Sequence, residues 1–370
     1  VSKLAGVALL LILPLALLIH NTRDGLNVFP GLLDINHYVF NLVLWIWLAF
    51  GFLATAFGLR RRRGWPSLFM LLSSACLMVG FLDLLVLTTR FESSGPAGEM
   101  CISHWNWHRR TVHENSQGFW EDELPAEIQV AVVGDSFTWG QGIPARSQRF
   151  SDRLSEKLGL KFWNFARPGA STRDESRDIL PTVAAYKPKL VLVCYLSNDI
   201  TLDPKLYTPP VPVLSPWKRS LVRASPIYNY LYWRYLSLAG GNEAGQRYFA
   251  MLRNHYLKPA VMATHAQEIS ELVAKIRAMG AKPVAVILPF PHMFMNTPAA
   301  DRKAIYDSVA KAFRQAGAPV IELQNLEESF PPGHFEVGPI DSHPSAAVNA
   351  GIADGIAAWL ALHSEILSNK

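Results

Sequence analysis

Four consecutive arginines, Arg60 to Arg63, separate two long apolar runs, Tyr38 to Leu59 and Pro66 to Thr89. Each run is close to the roughly 20 residues that a helix needs to cross a bilayer. Hydrocarbon offers the backbone no water to bond, so a run of this kind can satisfy its N–H and C=O groups only as a helix. The positive-inside rule places the arginine loop on the cytoplasmic side. The first run then passes inward, the second passes outward, and everything after Arg90 lies outside the cytoplasm. A third run, Leu4 to Ile19, precedes them, and Lys3 agrees with the same orientation. It is short and contains Pro14, so it reads either as a signal peptide or as a retained anchor; no small-residue cleavage site stands near His20-Asn21, which favours the anchor. Residues 1–90 are therefore expected to form a bundle of three transmembrane helices, with spans at about 4–19, 38–59 and 66–89. Asp83 lies inside the run Pro66 to Thr89, where an ionisable residue is either paired or functional, or simply reaches the interface.

Charge becomes informative once it is partitioned. Of 35 Lys/Arg and 30 Asp/Glu, seven basic and three acidic residues fall in the first 90 positions, which leaves 28 and 27 in the remainder. The basic excess is an orientation signal, and a nearly neutral remainder argues against nucleic-acid binding, which needs a concentrated positive face. Three cysteines make no disulfide framework. An oxidising compartment permits a Cys101–Cys194 bridge, although Cys194 in an apolar strand is an awkward partner. Cys101, His104, His108 and His113 stand at spacings that a metal can use. Together with Trp105 and Trp107 they read equally as a juxtamembrane segment at the lipid interface.

Beyond residue 127 the pattern changes to short apolar runs alternating with helical segments. Val130 to Val133 runs into Gly134-Asp135-Ser136, and Phe150 to Leu158 looks helical. Phe162 to Phe165 runs into Arg167-Pro168-Gly169-Ala170-Ser171, and Leu190 to Leu196 into Ser197-Asn198-Asp199. Further on come a helix over Ala263 to Met279, a strand over Pro283 to Leu288, a helix over Pro298 to Ala316 and a strand ending at Leu323. Asp341-Ser342-His343-Pro344 then opens a last helix. Parallel strands joined by crossover helices release their carboxyl ends on one sheet edge, where ligands bind. Ser136, Gly169, Asn198 and His343 converge there. Singly, Gly134 reads as a turn, Ser136 as a helix N-cap, Asn198-Asp199 as turn residues and His343 as a helix cap.

Taken jointly, these blocks resemble the SGNH/GDSL hydrolase superfamily, whose four blocks carry Ser, Gly, Asn and a His closely preceded by Asp, in the order seen here. The stretch VGDSFTWGQGI, Val133 to Ile143, resembles a subgroup found on bacterial membrane-anchored proteins. The resemblance spans roughly Ile128 to Leu362. It implies an α/β, flavodoxin-type three-layer sandwich with a five-stranded parallel sheet over 128–370, behind the membrane bundle and a connector over 91–127. In the connector, Asn115-Ser116-Gln117-Gly118-Phe119 resembles a segment that precedes the serine block in similar membrane-anchored members, and is expected to pack on the core. The resemblance also implies that Ser136 is the nucleophile, His343 the base and Asp341 its orienting partner. The oxyanion hole would consist of the Ser136 and Gly169 backbone N–H groups with the Asn198 side chain. One residue separates Asp341 from His343 where many members have two, a form similar to polysaccharide O-acetylation relatives.

The residue types suit that chemistry. A serine hydroxyl needs a base within hydrogen-bond reach. An imidazole titrates near working pH and can take and return the proton, and a carboxylate fixes its tautomer. No cofactor or metal is required. The implied activity is hydrolysis of O-acyl, chiefly O-acetyl, esters on an envelope glycan or lipid. The alternatives are transfer of acetyl to a polysaccharide with a membrane acyl-donor or polysaccharide-assembly partner, and a non-catalytic glycan-binding or assembly module. The implied location is a bacterial inner membrane, with the C-terminal domain in the periplasm. Between Asn198 and the next helix, 201–257 holds Pro209, Pro210, Pro212 and Pro216, then Trp217, Tyr228, Tyr230, Tyr232, Trp233, Tyr235, Phe249 and Tyr256. An insertion this long and aromatic is expected to be ordered and to project from the catalytic edge as a cap.

Overall fold

The computed structural model describes residues 8–23, 35–90, 101–201, 214–238, 243–294, 297–331, 333–338 and 341–367. Lys3, the connector residues 91–100 and Pro209, Pro210 and Pro212 lie outside them. The chain divides into two compact units, Val1–Arg110 with Val211–Gly241, and Thr111–Pro210 with Asn242–Lys370.

The second unit is built on five parallel strands, β1 (Val130–Gly134), β2 (Phe162–Asn164), β3 (Leu190–Tyr195), β4 (Lys282–Ile287) and β5 (Val320–Glu322), in the order β2-β1-β3-β4-β5. Every residue of β1 and β3 is buried. Both strands are therefore near-continuous apolar runs rather than alternating ones, as a sheet covered on both faces requires. The first crossover runs from β1 outward to β2, and the later ones run the opposite way across the sheet. Right-handed connections then send the helices to opposite faces. Phe150–Leu158 packs with Ala346–Leu362, while Pro259–Ala278 packs with Ala299–Gln315 and with the helical segment at 172–184. This is the doubly wound α/β architecture, with its core at Val132, Leu192, Val286, Ile269, Val309 and Ile352.

The described part of the connector, from residue 101 onward, holds a helix and a tight turn. Ile102–Thr111 forms a helix whose last turn carries His108, Arg109 and Arg110, favourably placed at the negative end of the helix dipole. Past it, Asn115 Oδ1 accepts from the Gln117 and Phe119 N–H groups, a tight turn that delivers Phe119 into the sheet core against Phe165. Cys76, Cys101 and Cys194 are buried and none is in a disulfide, so the Cys101–Cys194 bridge is not formed. Among the described residues no group of three or more His, Cys, Asp or Glu is arranged to hold a metal.

In the first unit, Ile35–Gly58 and Trp65–Thr89 are two helices long and apolar enough to cross a membrane, over Tyr38–Gly58 and Trp65–Thr89. The run Leu4 to Ile19 contributes a shorter element, a π turn at Ala8–Ile12 leading into Leu13–Arg23. Pro14 accounts for the wide turn, because it has no N–H to give the Leu10 carbonyl and its ring crowds that oxygen. The displaced carbonyl lies against Gly51, where a Cβ would overlap it.

The insertion at 201–257 divides between the two units. Pro216–Ala224 and Pro226–Leu238 belong to the unit of apolar helices, whereas Glu243–Tyr256 belongs to the hydrolase unit. Polar side chains divide it. Asp83, Tyr38 and Asn41 bond the backbone of the 216–238 segment. Within the hydrolase unit, the Tyr256 hydroxyl bonds that of Tyr195, which also bonds His265 Nε2 at 2.7 Å.

Candidate active site

β1 ends at Gly134, and Asp135 caps the short helix Ser136–Trp139, its carboxylate accepting from the Phe137 N–H at 2.9 Å. Ser136 is thereby the first helical residue beyond the carboxyl end of a central strand. Its Oγ lies 2.8 Å from His343 Nε2, and His343 Nδ1 lies 2.5 Å from Asp341 Oδ1. A carboxylate only accepts, so Nδ1 carries the proton and Nε2 is left to accept from the serine hydroxyl. Asp341 is buried, and the same Oδ1 also accepts the His343 backbone N–H at 3.2 Å.

The short Asp-x-His spacing has a local cause that sequence did not reveal. Asp341–Pro344 is a strand, β7, paired antiparallel with β6 (Glu336–Gly338), rather than the opening of the last helix, which begins at Ala346. Residues two apart on a strand point to one face. The carboxylate and the imidazole therefore lie side by side with one residue between them.

Asn198 reaches the same place from β3. Its Nδ2 donates to Asp135 Oδ2 at 3.2 Å, and that oxygen is 3.5 Å from Ser136 Oγ. Gly169 sits in the turn Arg167–Ala170, closed by the Ala170 N–H on the Arg167 carbonyl and hung on β1 by the Arg167 N–H to the Gly134 carbonyl at 3.0 Å. At φ 79° Gly169 is in the left-handed region, while a Cβ there would meet nothing within 4 Å. Backbone conformation, not crowding, demands glycine in this turn. Among the described residues neither the Ser136 nor the Gly169 backbone N–H has a protein acceptor.

Three further acidic residues stand behind this edge. Asp135, Glu175 and Asp199 are all buried. The Leu196 N–H donates to Asp199 Oδ2 at 2.6 Å, and the Thr172 N–H donates to the Asp199 carbonyl. Burial, reinforced by Asp135, holds the Glu175 and Asp199 carboxyls well above the usual carboxylate range. Burial also raises Asp135. Glu175 escaped the sequence reading, yet a signal was present. It stands four residues before Ile179 and eight before Val183, both buried, so the inward stripe of this helical segment carries a carboxyl.

One wall of the site is aromatic. The Phe137 ring lies 5.0 Å from the His343 ring and 5.0 Å from Phe290, which in turn meets Phe249 at 5.3 Å. Phe249 thus ties the insertion to this chain of rings, and the neighbouring Tyr248 ring meets it at 5.4 Å.

A serine, a histidine and an aspartate stand in hydrogen-bonded series at the carboxyl edge of the parallel sheet, the arrangement that a nucleophile, its base and an orienting carboxylate would take. Residues 132–350 match the GDSL-like lipase/acylhydrolase family, and the chain belongs to that family. Solved structures similar to it include the psychrotrophic esterase EstA from Pseudoalteromonas sp. (14% identity, TM-score 0.39, covering 64% of this chain and 100% of that one). Others are an extracellular lipase from Streptomyces rimosus (14%, 0.41, 61% and 98%) and the acetyl xylan esterase AlAXEase (14%, 0.39, 64% and 100%). No curated protein matches the sequence.

Proposed function

We propose that this chain is a membrane-anchored, outward-facing serine esterase that cleaves O-acyl, chiefly O-acetyl, esters of an envelope glycan or lipid through an acyl-enzyme on Ser136. The observation that carries the reading is the continuous series from Ser136 Oγ through His343 to Asp341, at 2.8 and 2.5 Å. In it, Ser136 Oγ attacks the acyl carbonyl carbon while His343 Nε2 takes the hydroxyl proton. The carbonyl oxygen becomes an oxyanion that accepts from the Ser136 and Gly169 backbone N–H groups and from Asn198 Nδ2. The imidazolium, stabilised by Asp341, returns its proton to the leaving alcohol as the C–O bond breaks. Water then repeats the sequence on the acyl-enzyme and releases the acid.

The anchoring part of the proposal rests on the two long apolar helices and on the arginines between them, with the shorter 8–23 element as a third membrane segment. By the positive-inside rule the arginine loop supports an orientation with both helices' other ends, and the hydrolase unit, on the outer side of a bacterial inner membrane. The short Asp-x-His spacing favours a second reading, in which a sugar hydroxyl replaces water and a membrane partner supplies the acyl donor.

Full-length protein in detergent micelles is expected to hydrolyse p-nitrophenyl acetate, with Ser136→Ala inactive and unlabelled by a serine-reactive phosphonate. Equal activity in that variant discards the esterase reading. Adding an oligosaccharide acceptor separates the two chemistries, since a transferase acetylates it faster than free acetate appears. Extraction of the protein from membranes by alkaline carbonate discards the anchor.

A further inference from the structure

The helix Pro226–Leu238 is inverted relative to a helix on the surface of a soluble protein. Its packed face carries Pro226, Asn229 and Trp233, all buried. Its outward face carries Leu231, Tyr235 and Leu238, exposed by 54, 68 and 74%, with Arg234 as the one charge among them. That i, i+4, i+7 stripe is the position where a soluble helix places polar residues. The preceding helix Pro216–Ala224 repeats the pattern more briefly. Trp217 and Leu221, one turn apart, are 61 and 41% exposed among Lys218, Arg219 and Ser220, and the Lys218 ammonium sits 5.6 Å above the Trp217 ring. Exposed Trp and Leu beside Lys and Arg is the composition of a helix lying in a lipid interface.

The packed side shows why the junction between these helices suits a place without water. A helix end leaves its last carbonyls and the next helix's first N–H groups without intrahelical partners. Here side chains of the two spanning-length helices take them up. The Tyr38 hydroxyl donates to the Val222 carbonyl at 3.1 Å, and Asn41 Nδ2 donates to the Arg223 and Ala224 carbonyls at 3.0 and 3.3 Å. Asp83 Oδ1 accepts from the Ser225 hydroxyl at 2.6 Å and from the Ile227 N–H at 3.0 Å. Asn229 Nδ2 donates to the Tyr38 hydroxyl, and Asn229 Oδ1 accepts the Ile102 N–H. Non-helical backbone is tolerated at membrane depth when protein groups satisfy it in this manner. Asp83, open to two readings in sequence, is a paired residue whose partner is this junction.

Next to those polar residues, the same two helices expose Val39, Phe40, Val43, Phe81, Leu84 and Leu85. The outward stripe of the 216–238 segment and these exposed apolar side chains belong to the same unit. We propose that Pro216–Leu238 is a second membrane-seated element, a helical hairpin lying in the outer headgroup–acyl boundary with Trp217, Leu221, Leu231, Tyr235 and Leu238 against lipid. It rests on the reading that Tyr38–Gly58 and Trp65–Thr89 cross a bilayer. Its consequence is that the hydrolase sequence is fastened to the membrane at an internal point as well as at its start.

The test uses the full chain in phosphatidylcholine–phosphatidylglycerol nanodiscs with Cys76, Cys101 and Cys194 replaced by alanine. Single nitroxide labels are placed through Leu231→Cys, Tyr235→Cys, Leu71→Cys and Lys311→Cys. Leu71 is an exposed residue of the Trp65–Thr89 helix, and Lys311 an exposed residue of the hydrolase unit. Collisional access to oxygen against a water-soluble nickel chelate reads the depth of each. Labels at 231 and 235 are expected to favour oxygen severalfold over the label at 311, as the label at 71 does. If 231 and 235 match 311 while 71 stays lipid-like, the hairpin proposal falls and the anchor stands. If 71 also matches 311, the anchoring reading falls and takes the hairpin with it. Labels at 231 and 235 shielded from both reagents mean that protein covers the stripe, which overturns the lipid assignment.

Discussion

Asp135→Asn separates the orientation of the Asn198 amide from its mere presence. Asp135 holds the Phe137 N–H on one oxygen at 2.9 Å and Asn198 Nδ2 on the other at 3.2 Å. An asparagine at 135 keeps its carbonyl on Phe137, because that buried N–H needs an acceptor. Its own NH2 group then faces the NH2 of Asn198, and two donors cannot bond. Asn198 relieves the conflict by turning over, which presents its carbonyl to the position of the oxyanion. Loss of one oxyanion donor costs on the order of 10²–10³ in kcat, about 2.7–4 kcal/mol, and the added repulsion places Asp135→Asn at the upper end of that range. The nucleophile helix stays capped, and the substitution removes a carboxylate that burial disfavours, so thermal stability is expected to stay near wild type. The assay is p-nitrophenyl acetate hydrolysis by full-length protein, with Asn198→Ala and the double variant closing the cycle. Once residue 198 is alanine nothing remains to turn, so the double variant is expected to match Asn198→Ala. Near-wild-type kcat for Asp135→Asn, or losses that multiply in the double variant, refutes the reasoning.

Inserting one serine between Ser342 and His343 moves the imidazole to the other face of β7 and is expected to lower kcat by roughly the 10⁴ of a misplaced triad; activity within tenfold in the same acetate assay means that the strand does not set the spacing. Glu175 has a folded pKa raised by burial, so its stabilising proton is fully in place below the unfolded value of about 4.3 and is lost as pH rises toward the folded value, with a slope of up to about 1.4 kcal/mol per pH unit. Glu175→Gln removes that dependence, and its melting temperature relative to wild type is expected to climb between about pH 5 and about pH 8; a constant difference shows that Glu175 is ionised in the native protein. Gly51→Leu overlaps the Leu10 carbonyl and is expected to destabilise the helical unit by about 1–3 kcal/mol, read as a lower melting temperature in micelles. Gly58→Leu, where a Cβ meets nothing within 4 Å, serves as the control.

Hydropathy and strand periodicity carried much of the fold. The five strands lie where buried apolar runs indicated, since a sheet covered on both faces leaves an unbroken apolar signal. The Phe150–Leu158 helix coincides with its sequence boundaries, and the ends of Pro259–Ala278 and Ala299–Gln315 differ from expectation by a few residues. The β6–β7 ribbon was not legible. Asp-Ser-His-Pro has no apolar alternation, and an edge pair held by its own ladder leaves no pattern for hydropathy to detect. The inward carboxyl of Glu175 was passed over because local reading treats an isolated acid as solvent-facing.

By itself the amino-acid order determined the residue types available for acyl chemistry, the strand ends that carry them, and two helices long and apolar enough to cross a membrane. Those properties depend on each segment's own side chains and are written locally. Tertiary structure decided that His343 Nε2 faces Ser136 and that Asp135 orients Asn198. It also decided that the aromatic insertion divides between two units. Those outcomes depend on which orphan backbone groups meet which distant polar side chains. Asp83 and Ser225 lie 142 residues apart, and no local pattern records that they bond.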